Sequence, residues 1–171
     1  MGPAAVAPDP VNVPMIRHWV IALDDRNPVY LDEKAAAATR HGGLVAPPAM
    51  LQTWGMPSPR IEGIAERGGS PVDITNDNVV RALDQEGFTG TLATNSELEF
   101  VRYLRPGDHL RTSNELESIS NRKTTGLGQG YFVTWITTYR DQDDEVVGRQ
   151  LFRIFKFDPS TIDLARLKGA S

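Results

Sequence analysis

Cysteine is absent from the 171-residue sequence, and histidine is scarce. Without cysteine the chain has no disulfide, no cysteine-ligated zinc and no thiolate nucleophile. The three histidines, His18, His41 and His109, lie too far apart in sequence to form a metal-ligand motif. The sequence therefore predicts neither a metal site nor cysteine-based catalysis.

Long apolar runs and a strong charge imbalance are missing as well. No run approaches the roughly 20 apolar residues that a membrane span needs, and the first ten residues lack the pattern of a signal peptide. The net charge of −4 gives no basic surface for nucleic acid or for an anionic membrane. We expect a cytoplasmic protein of one domain, without a nucleic-acid or membrane partner.

Helix signals occupy the first third of the chain. Residues 1–10 are rich in Pro and Ala without periodicity and predict a flexible tail. Asn12 is placed to cap a helix that ends near Asp24. Asp32 is placed to cap a short alanine-rich helix, which we expect Gly42-Gly43 to stop.

A third helix is predicted to begin at Pro47-Pro48, because the first N–H groups of a helix need no partner within it. Gly55 and the prolines after it predict that this helix is short. Residues 55–75 are rich in Gly, Pro and Ser and predict a long loop. Another brief helix is expected over residues 78–86.

The second half of the chain has the pattern of an antiparallel meander. The predicted strands cover residues 88–101, 109–120, 130–139 and 146–157. Helices followed by such a meander favour an α+β fold with a helix on a curved sheet. Residues 158–171 are predicted to form a C-terminal helix or linker.

Three segments carry a resemblance to a known family. DRNPVY, from Asp25 to Tyr30, is similar to Asp-x-Asn-Pro-x-His; APPAML, from Ala46 to Leu51, occupies the place of Ala-His-Gly-x-Leu. The segment from Glu99 to Asp108 is similar to Phe-x-x-Pro-x-x-Pro-Gly-Asp. On these motifs, residues 11–157 resemble the MaoC-like enoyl-CoA hydratases and dehydratases. The resemblance implies a hot-dog fold, an antiparallel sheet wrapped around a central helix that is shortened here.

Two departures from the family pattern concern the catalytic groups. In active members the Asp and His hold a water molecule and add it across the double bond of an enoyl thioester. Asp25 and Asn27 match family positions, but Tyr30 replaces the histidine, and tyrosine titrates near pH 10. Pro48 replaces a glycine whose N–H stabilises the thioester oxygen, and proline has no N–H. The resemblance therefore implies that the catalytic set is incomplete in this chain.

Residues 11–20 and 42–51 most resemble the non-catalytic MaoC subunit of actinobacterial steroid side-chain enoyl-CoA hydratases. That resemblance implies a second MaoC-like subunit that carries the Asp/His pair, in a heterotetramer built as a dimer of heterodimers. It also implies a coenzyme A thioester substrate and no cofactor. The expected walls of the acyl pocket are Val45, Ala46, Pro47, Pro48, Met50, Leu51 and Trp54. A hot-dog thioesterase and a non-catalytic acyl-CoA-binding scaffold protein remain as alternatives.

The same residues also fit structural roles. Asp25 and Asn27 suit a turn that their side chains hold by hydrogen bonds. Tyr30 is compatible with a packing role, and the apolar residues of the third helix are compatible with a place in the hydrophobic core. His41 suits the C-terminal end of a helix, where the dipole favours a cation.

Two further features are interpreted structurally. The glycine-rich residues 126–130 precede a strand, so they predict a bulge or a close backbone approach rather than a dinucleotide loop. Arg102 and Arg105, with Arg122 and Lys123, are expected at the solvated surface rather than on the phosphates of coenzyme A.

Overall fold

A computed structural model of the protein describes residues 4–56, 59, 61–63 and 78–162. Its strands are β1 (Ala5–Val6), β2 (Gly90–Phe100), β3 (Arg111–Ile119), β4 (Lys123–Thr125), β5 (Gly128–Arg140) and β6 (Val146–Phe157). They form one antiparallel sheet in the order β1-β3-β5-β6-β2, with β4 beside β5. The predicted α+β fold is confirmed, and the four predicted strands agree with β2, β3, β5 and β6 to within two residues at each end.

The helices are short, and two of them are capped by the predicted side chains. They are α1 (Val13–Ala22), α2 (Glu33–Ala37), α3 (Leu51–Gly55) and α4 (Asn78–Gln85), with 3₁₀ turns at Pro28–Tyr30, Pro48–Met50 and Pro159–Thr161. Asn12 Oδ1 accepts the backbone N–H of Met15 at 2.9 Å. Asp32 Oδ1 accepts that of Ala35 at 3.0 Å. Both contacts satisfy first-turn N–H groups that have no partner within the helix.

The N-terminal segment differs from the predicted flexible tail. Ala5 and Val6 form β1, in which Ala5 lies opposite Thr112 of β3. The backbone N–H of Ala7 donates to Leu110 O at 2.8 Å, and Ala7 is buried. Backbone pairing orders these residues, and the Pro- and Ala-rich composition gave no sign of it.

The alanine-rich helix also ends earlier than predicted. It stops at Ala37, because the Thr39 hydroxyl donates to Ala36 O at 2.7 Å and the Thr39 N–H donates to the same oxygen at 3.1 Å. Gly42, with a φ of 65°, forms a later turn instead of the helix end. Most of the predicted loop over residues 55–75 lies outside the described residues. So does the terminal segment beyond residue 162, and residues 158–162 contain a 3₁₀ turn.

The chain divides into two compact units. The first comprises Met1–Pro57, Leu98–Asn114 and Thr137–Gln150, and the second comprises Ser58–Glu97, Glu115–Ile136 and Leu151–Ser171. In the first unit, α3 lies directly on the strands because two glycines allow close approach. A Cβ atom at Gly148 would lie 2.6 Å from Leu51 Cδ2, and one at Gly55 would lie 2.9 Å from Thr112 Cγ2. Gly55 on the helix and Gly148 on the sheet therefore permit the short helix to pack directly against the strands.

The second unit packs α4 against β5 and β6. Its buried cluster consists of Val80, Val133 and Ile154. Lys156 is only 1% exposed, and its Nζ donates to Asp84 Oδ1 at 2.6 Å and to Thr91 Oγ1 at 2.8 Å. A buried ammonium group needs such partners, so this contact fixes α4 on the sheet.

The glycine-rich segment permits the close approach predicted for it. Gly128 has a φ of 108°, which favours glycine, and a Cβ there would lie 2.5 Å from Thr161 Oγ1. A Cβ at Gly130 would lie 2.1 Å from Lys156 O. Any larger residue at Gly130 would force the β5 and β6 backbones apart.

Candidate functional site

The first family-matched segment forms a tight turn directly after α1. The Asp25 N–H donates to Val20 O at 2.8 Å, and Asp25 Oδ1 accepts the N–H of Asn27 at 3.0 Å. Asn27 Oδ1 in turn accepts the N–H of Val29 at 3.2 Å. These side-chain oxygens hold the turn, which is the structural role that Asp and Asn often have at such positions.

Tyr30 occupies the position that a histidine holds in the matched motif. Its side chain is 8% exposed and belongs to the core of the first unit. Burial raises the pKa of the Tyr30 hydroxyl, and the nearby Asp25 and Tyr103 raise it further, whereas a hydrogen bond with the Asn27 side chain opposes them. The phenol therefore stays protonated at neutral pH and is a poor general base.

Tyr103 lies between this turn and the loop that follows α2. The rings of Tyr103 and His41 are tilted, with centroids 4.5 Å apart. An Arg105 guanidinium N–H donates to the backbone oxygen of His41. Because α2 ends at Ala37, His41 is not in the last turn of a helix, and the prediction of a dipole-favoured position is wrong.

The second matched segment and the residue before it join the other two segments through backbone hydrogen bonds. The Val45 N–H donates to Val29 O at 3.5 Å, and the Ala46 N–H donates to Leu104 O at 2.8 Å. Three motifs that are distant in sequence therefore meet in the first unit. Pro48 opens the 3₁₀ turn before α3 and offers no N–H there.

The seven predicted pocket residues all lie in and around this second segment. Val45, Ala46, Met50, Leu51 and Trp54 are buried in the core of the first unit, Pro47 is buried and Pro48 is half-buried. The indole Nε1 of Trp54 is buried without a hydrogen-bond partner. The structure brings these residues together, and their contact with an acyl group remains a prediction.

The third matched segment is anchored by a partly buried ion-pair network that the sequence did not reveal. Arg102 donates from Nη1 to Asp108 Oδ2 and from Nη2 to Asp141 Oδ2, each at 2.7 Å. The hydrogen bond to Asp108 raises the pKa of Arg102 most, and that to Asp141 adds to it, against the effect of burial. The expectation of a solvated Arg102 is therefore wrong.

Asp141 is the acidic group of this network that sequence reasoning missed. Burial alone would raise the pKa of its carboxyl, but hydrogen bonds from Arg102 and from the N–H groups of Glu145 and Asp143 together lower it. Asp141 lies in the turn between β5 and β6, where an acidic residue looks like ordinary turn chemistry. The network fixes the Pro-Gly-Asp turn through Asp108, its last residue.

An open cleft of about 490 Å³ lies on the surface of the first unit. Its lining residues are Val13, Glu33, Ala37, Gly43, Leu44, Arg105 and Pro106, none of which belongs to the predicted acyl pocket. Over residues 4–56, 59, 61–63 and 78–162, no group of three or more His, Asp and Glu side chains could hold a metal ion. The helices of that same part of the chain are too short or too polar to cross a membrane.

The chain is similar to known proteins in sequence and in fold. Residues 4–150 match the family model of the FAS1-like, dehydratase domain region. The chain is 45% identical over 168 residues to a probable enoyl-CoA hydratase alpha subunit of Thermomonospora curvata. It is 40% identical over 155 residues to the 3-oxo-4,17-pregnadiene-20-carboxyl-CoA hydratase alpha subunit of Mycobacterium tuberculosis. The matches cover 94% and 91% of this chain but 49% and 47% of the relatives, so the chain spans about half their length.

Solved structures give the same result for the fold. A chain in the crystal structure of the ChsH1-ChsH2 complex from Mycobacterium tuberculosis is 39% identical, with a TM-score of 0.79; the match covers 92% of this chain and 84% of that chain. A MaoC-like dehydratase from Rhodospirillum rubrum is 21% identical, with a TM-score of 0.60, and the match covers 92% of each chain. The second likeness concerns the fold alone. Together they confirm the predicted hot-dog architecture.

Proposed function

This chain belongs to the family of FAS1-like dehydratase-region proteins, and from that membership we propose that it is the non-catalytic subunit of a heteromeric MaoC-like enoyl-CoA hydratase. The enzyme adds water to the double bond of an enoyl-CoA thioester with a steroid side-chain acyl group, and it acts in the cytoplasm without a cofactor. A second MaoC-like subunit supplies the catalytic Asp and His. Two such pairs form a heterotetramer.

The observation that carries this proposal is the state of Tyr30. Water addition needs one group that takes a proton and one that gives a proton, both poised near neutral pH. Tyr30 stands at the histidine position, and its buried hydroxyl has a raised pKa. Asp25 remains, with its Oδ1 accepting the N–H of Asn27, but no histidine stands at the second position of the pair. This half of the enzyme therefore has no working proton-transfer pair.

Pro48 removes a second catalytic element. As water adds, negative charge develops on the thioester oxygen, and a backbone N–H at the start of the central helix stabilises it in active family members. Pro47 and Pro48 have no N–H, and the N–H of Met50 donates to Pro47 O at 3.0 Å. Loss of one such donor costs about 10²–10³ in rate in enzymes that use it.

Strand β2 supports the proposed partner. It is the last strand in the sheet order, and most of its eleven residues are exposed. Leu92 and Phe100 on it are 45% and 43% exposed, respectively. A long edge strand with exposed apolar side chains is open to aggregation unless another strand covers it. We propose that the corresponding edge of the second subunit continues the sheet here.

The proposed contribution of this subunit is the wall of the acyl pocket. Helix α3 ends at Gly55, so the central helix has only five residues in addition to its opening 3₁₀ turn. We propose that this shortening leaves space for a bulky, rigid acyl group, with the seven residues from Val45 to Trp54 that were predicted above as its apolar lining. The order Leu51-Gln52-Thr53-Trp54-Gly55 includes no carboxylate, so α3 lacks the group that a thioesterase would use to activate water.

The experiment is a comparison of each subunit alone with the reconstituted complex. The partner is the co-purifying MaoC-like chain that carries an intact Asp-x-Asn-Pro-x-His motif, and the probe is a steroid enoyl-CoA whose double bond is followed by absorbance. Hydration by the complex, and not by this chain alone, is the expected result. Thioester cleavage without hydration would show a thioesterase instead, and binding without turnover would show a scaffold protein.

A further inference from the structure

Trp54 has a hydrogen-bond donor that the chain itself does not use. Its Nε1 is the single buried side-chain nitrogen or oxygen atom without a partner among the residues that the structure describes. Trp54 as a whole is 4% exposed, so water does not reach this N–H freely. An unpaired buried donor costs free energy, and buried polar groups are nearly always satisfied. The indole is donor only, so its partner must be an acceptor.

The position of this donor is fixed. Trp54 lies in the last turn of α3, and the neighbouring Gly55 is so close to the sheet that a Cβ there would lie 2.9 Å from Thr112 Cγ2 and 3.6 Å from Tyr139 Cε1. One turn earlier, Leu51 lies against Gly148 in the same way. The helix cannot shift along the sheet to find the indole another partner.

One polar group close to the end of α3, the Tyr139 hydroxyl, is already engaged. The Tyr139 ring approaches Gly55, but its hydroxyl donates to Gln150 Oε1 at 3.1 Å. Burial raises the pKa of Tyr139 to about 12, so the hydroxyl keeps its proton. The Trp54 N–H is therefore a preorganised donor in an apolar region. It lies at the end of the helix opposite to Pro48, and the thioester would react at the Pro48 end.

We propose that the Trp54 Nε1–H donates a hydrogen bond to an oxygen atom on the acyl group of the substrate, remote from the thioester. The ligand class is an apolar, rigid acyl-CoA with one acceptor oxygen, such as a ring ketone. This inference rests on the proposed function, because it places the acyl group along α3. A site with one fixed donor selects ligands that have the matching acceptor, since binding a ligand without it leaves the donor unpaired.

The test uses Trp54→Phe in the complex with the catalytic partner, with Trp19→Phe as the matched control. Trp19 is a partly buried residue beside the same core. Two substrates are compared, a steroid enoyl-CoA with a ring ketone and the same molecule without that oxygen. Trp54→Phe should lower kcat/KM for the ketone about tenfold more than for the deoxo substrate, mainly through KM. Trp19→Phe should not distinguish the substrates. Equal effects of Trp54→Phe on both, or no effect on either, would overturn the inference.

A second readout separates this inference from the proposed function. The indole ¹H–¹⁵N resonance of Trp54 is followed while a saturated steroid acyl-CoA, with or without the ring ketone, is added to the complex. A downfield shift with the ketone only is expected, and it does not require hydration. If the wild-type complex hydrates neither substrate, the proposed function fails, and this resonance still decides whether Trp54 binds the oxygen. Absence of a ketone-dependent shift would overturn the inference by itself.

Discussion

Gly55→Ala tests how α3 is seated on the sheet. A methyl group at this position would lie 2.9 Å from Thr112 Cγ2, which is closer than carbon atoms approach each other. Overpacking of this kind costs about 1–3 kcal/mol. The replacement of glycine by alanine in a helix gains about 0.5–1 kcal/mol. We therefore expect Gly55→Ala to lower the free energy of unfolding by up to about 2.5 kcal/mol, from the difference of these terms.

The effect of Gly55→Ala on the free energy of unfolding should change sign when Thr112 is changed to Ser, because serine lacks the clashing methyl group. In that background Gly55→Ala should raise the free energy of unfolding by up to about 1 kcal/mol. For a chain of this length, each kcal/mol corresponds to about 2–4 °C in Tm. Thermal and urea unfolding of the wild type, both single variants and the double variant give the coupling energy.

Gly43→Ala is the matched control for this cycle. A Cβ there would meet only Arg105 Nη1, at 3.7 Å, which is an ordinary contact. We expect a change within about 0.5 kcal/mol, as for most surface substitutions. If Gly55→Ala is equally destabilising in the wild type and in the Thr112→Ser background, contact with the Thr112 methyl group is not the cause.

Two other predictions concern the ion-pair network and the replaced histidine. Asp141→Asn should lower the free energy of unfolding by about 2–3 kcal/mol at pH 7, because Arg102 loses a charged partner. The pKa of Asp141 is lowered in the folded state, so its contribution is complete above its ordinary value of 3.8 and is lost as pH falls through the folded value. Urea titrations of the two proteins should therefore converge in acid, and a gap that persists or widens there would contradict the assignment. Tyr30→Phe should leave kcat of the complex within about twofold and its pH profile unchanged, because a packing role needs only the ring. A tenfold fall in kcat would mean that the hydroxyl takes part in the reaction.

Regular elements were predictable where local chemistry decides them. Asn12 and Asp32 cap helices through the bonds that their positions predict, and β6 begins and ends where its apolar pattern does. β1 was missed because a two-residue strand depends on pairing with β3, which is more than a hundred residues away in sequence. Local composition contains no information about such a partner.

The site was predictable as a set of segments and not as a set of contacts. The motifs around Asp25, Ala46 and Leu104 were recognised separately, and the backbone bonds that join them appear only in the fold. Arg102 and Asp141 are thirty-nine residues apart, so no spacing rule could pair them. The sequence also could not show that Trp54 Nε1 lacks a hydrogen-bond partner, because this depends on every neighbour that the fold supplies.

If the proton-transfer groups belong to the partner subunit, removal of the Asp of each half in turn should have opposite results. In the reconstituted complex, Asp25→Asn should leave the hydration rate nearly unchanged, since asparagine retains the oxygen that accepts the N–H of Asn27. The same Asp→Asn change in the partner's Asp-x-Asn-Pro-x-His motif should lower kcat by about 10²–10⁴. A loss of that size from Asp25→Asn, with the partner variant still active, would contradict the claim.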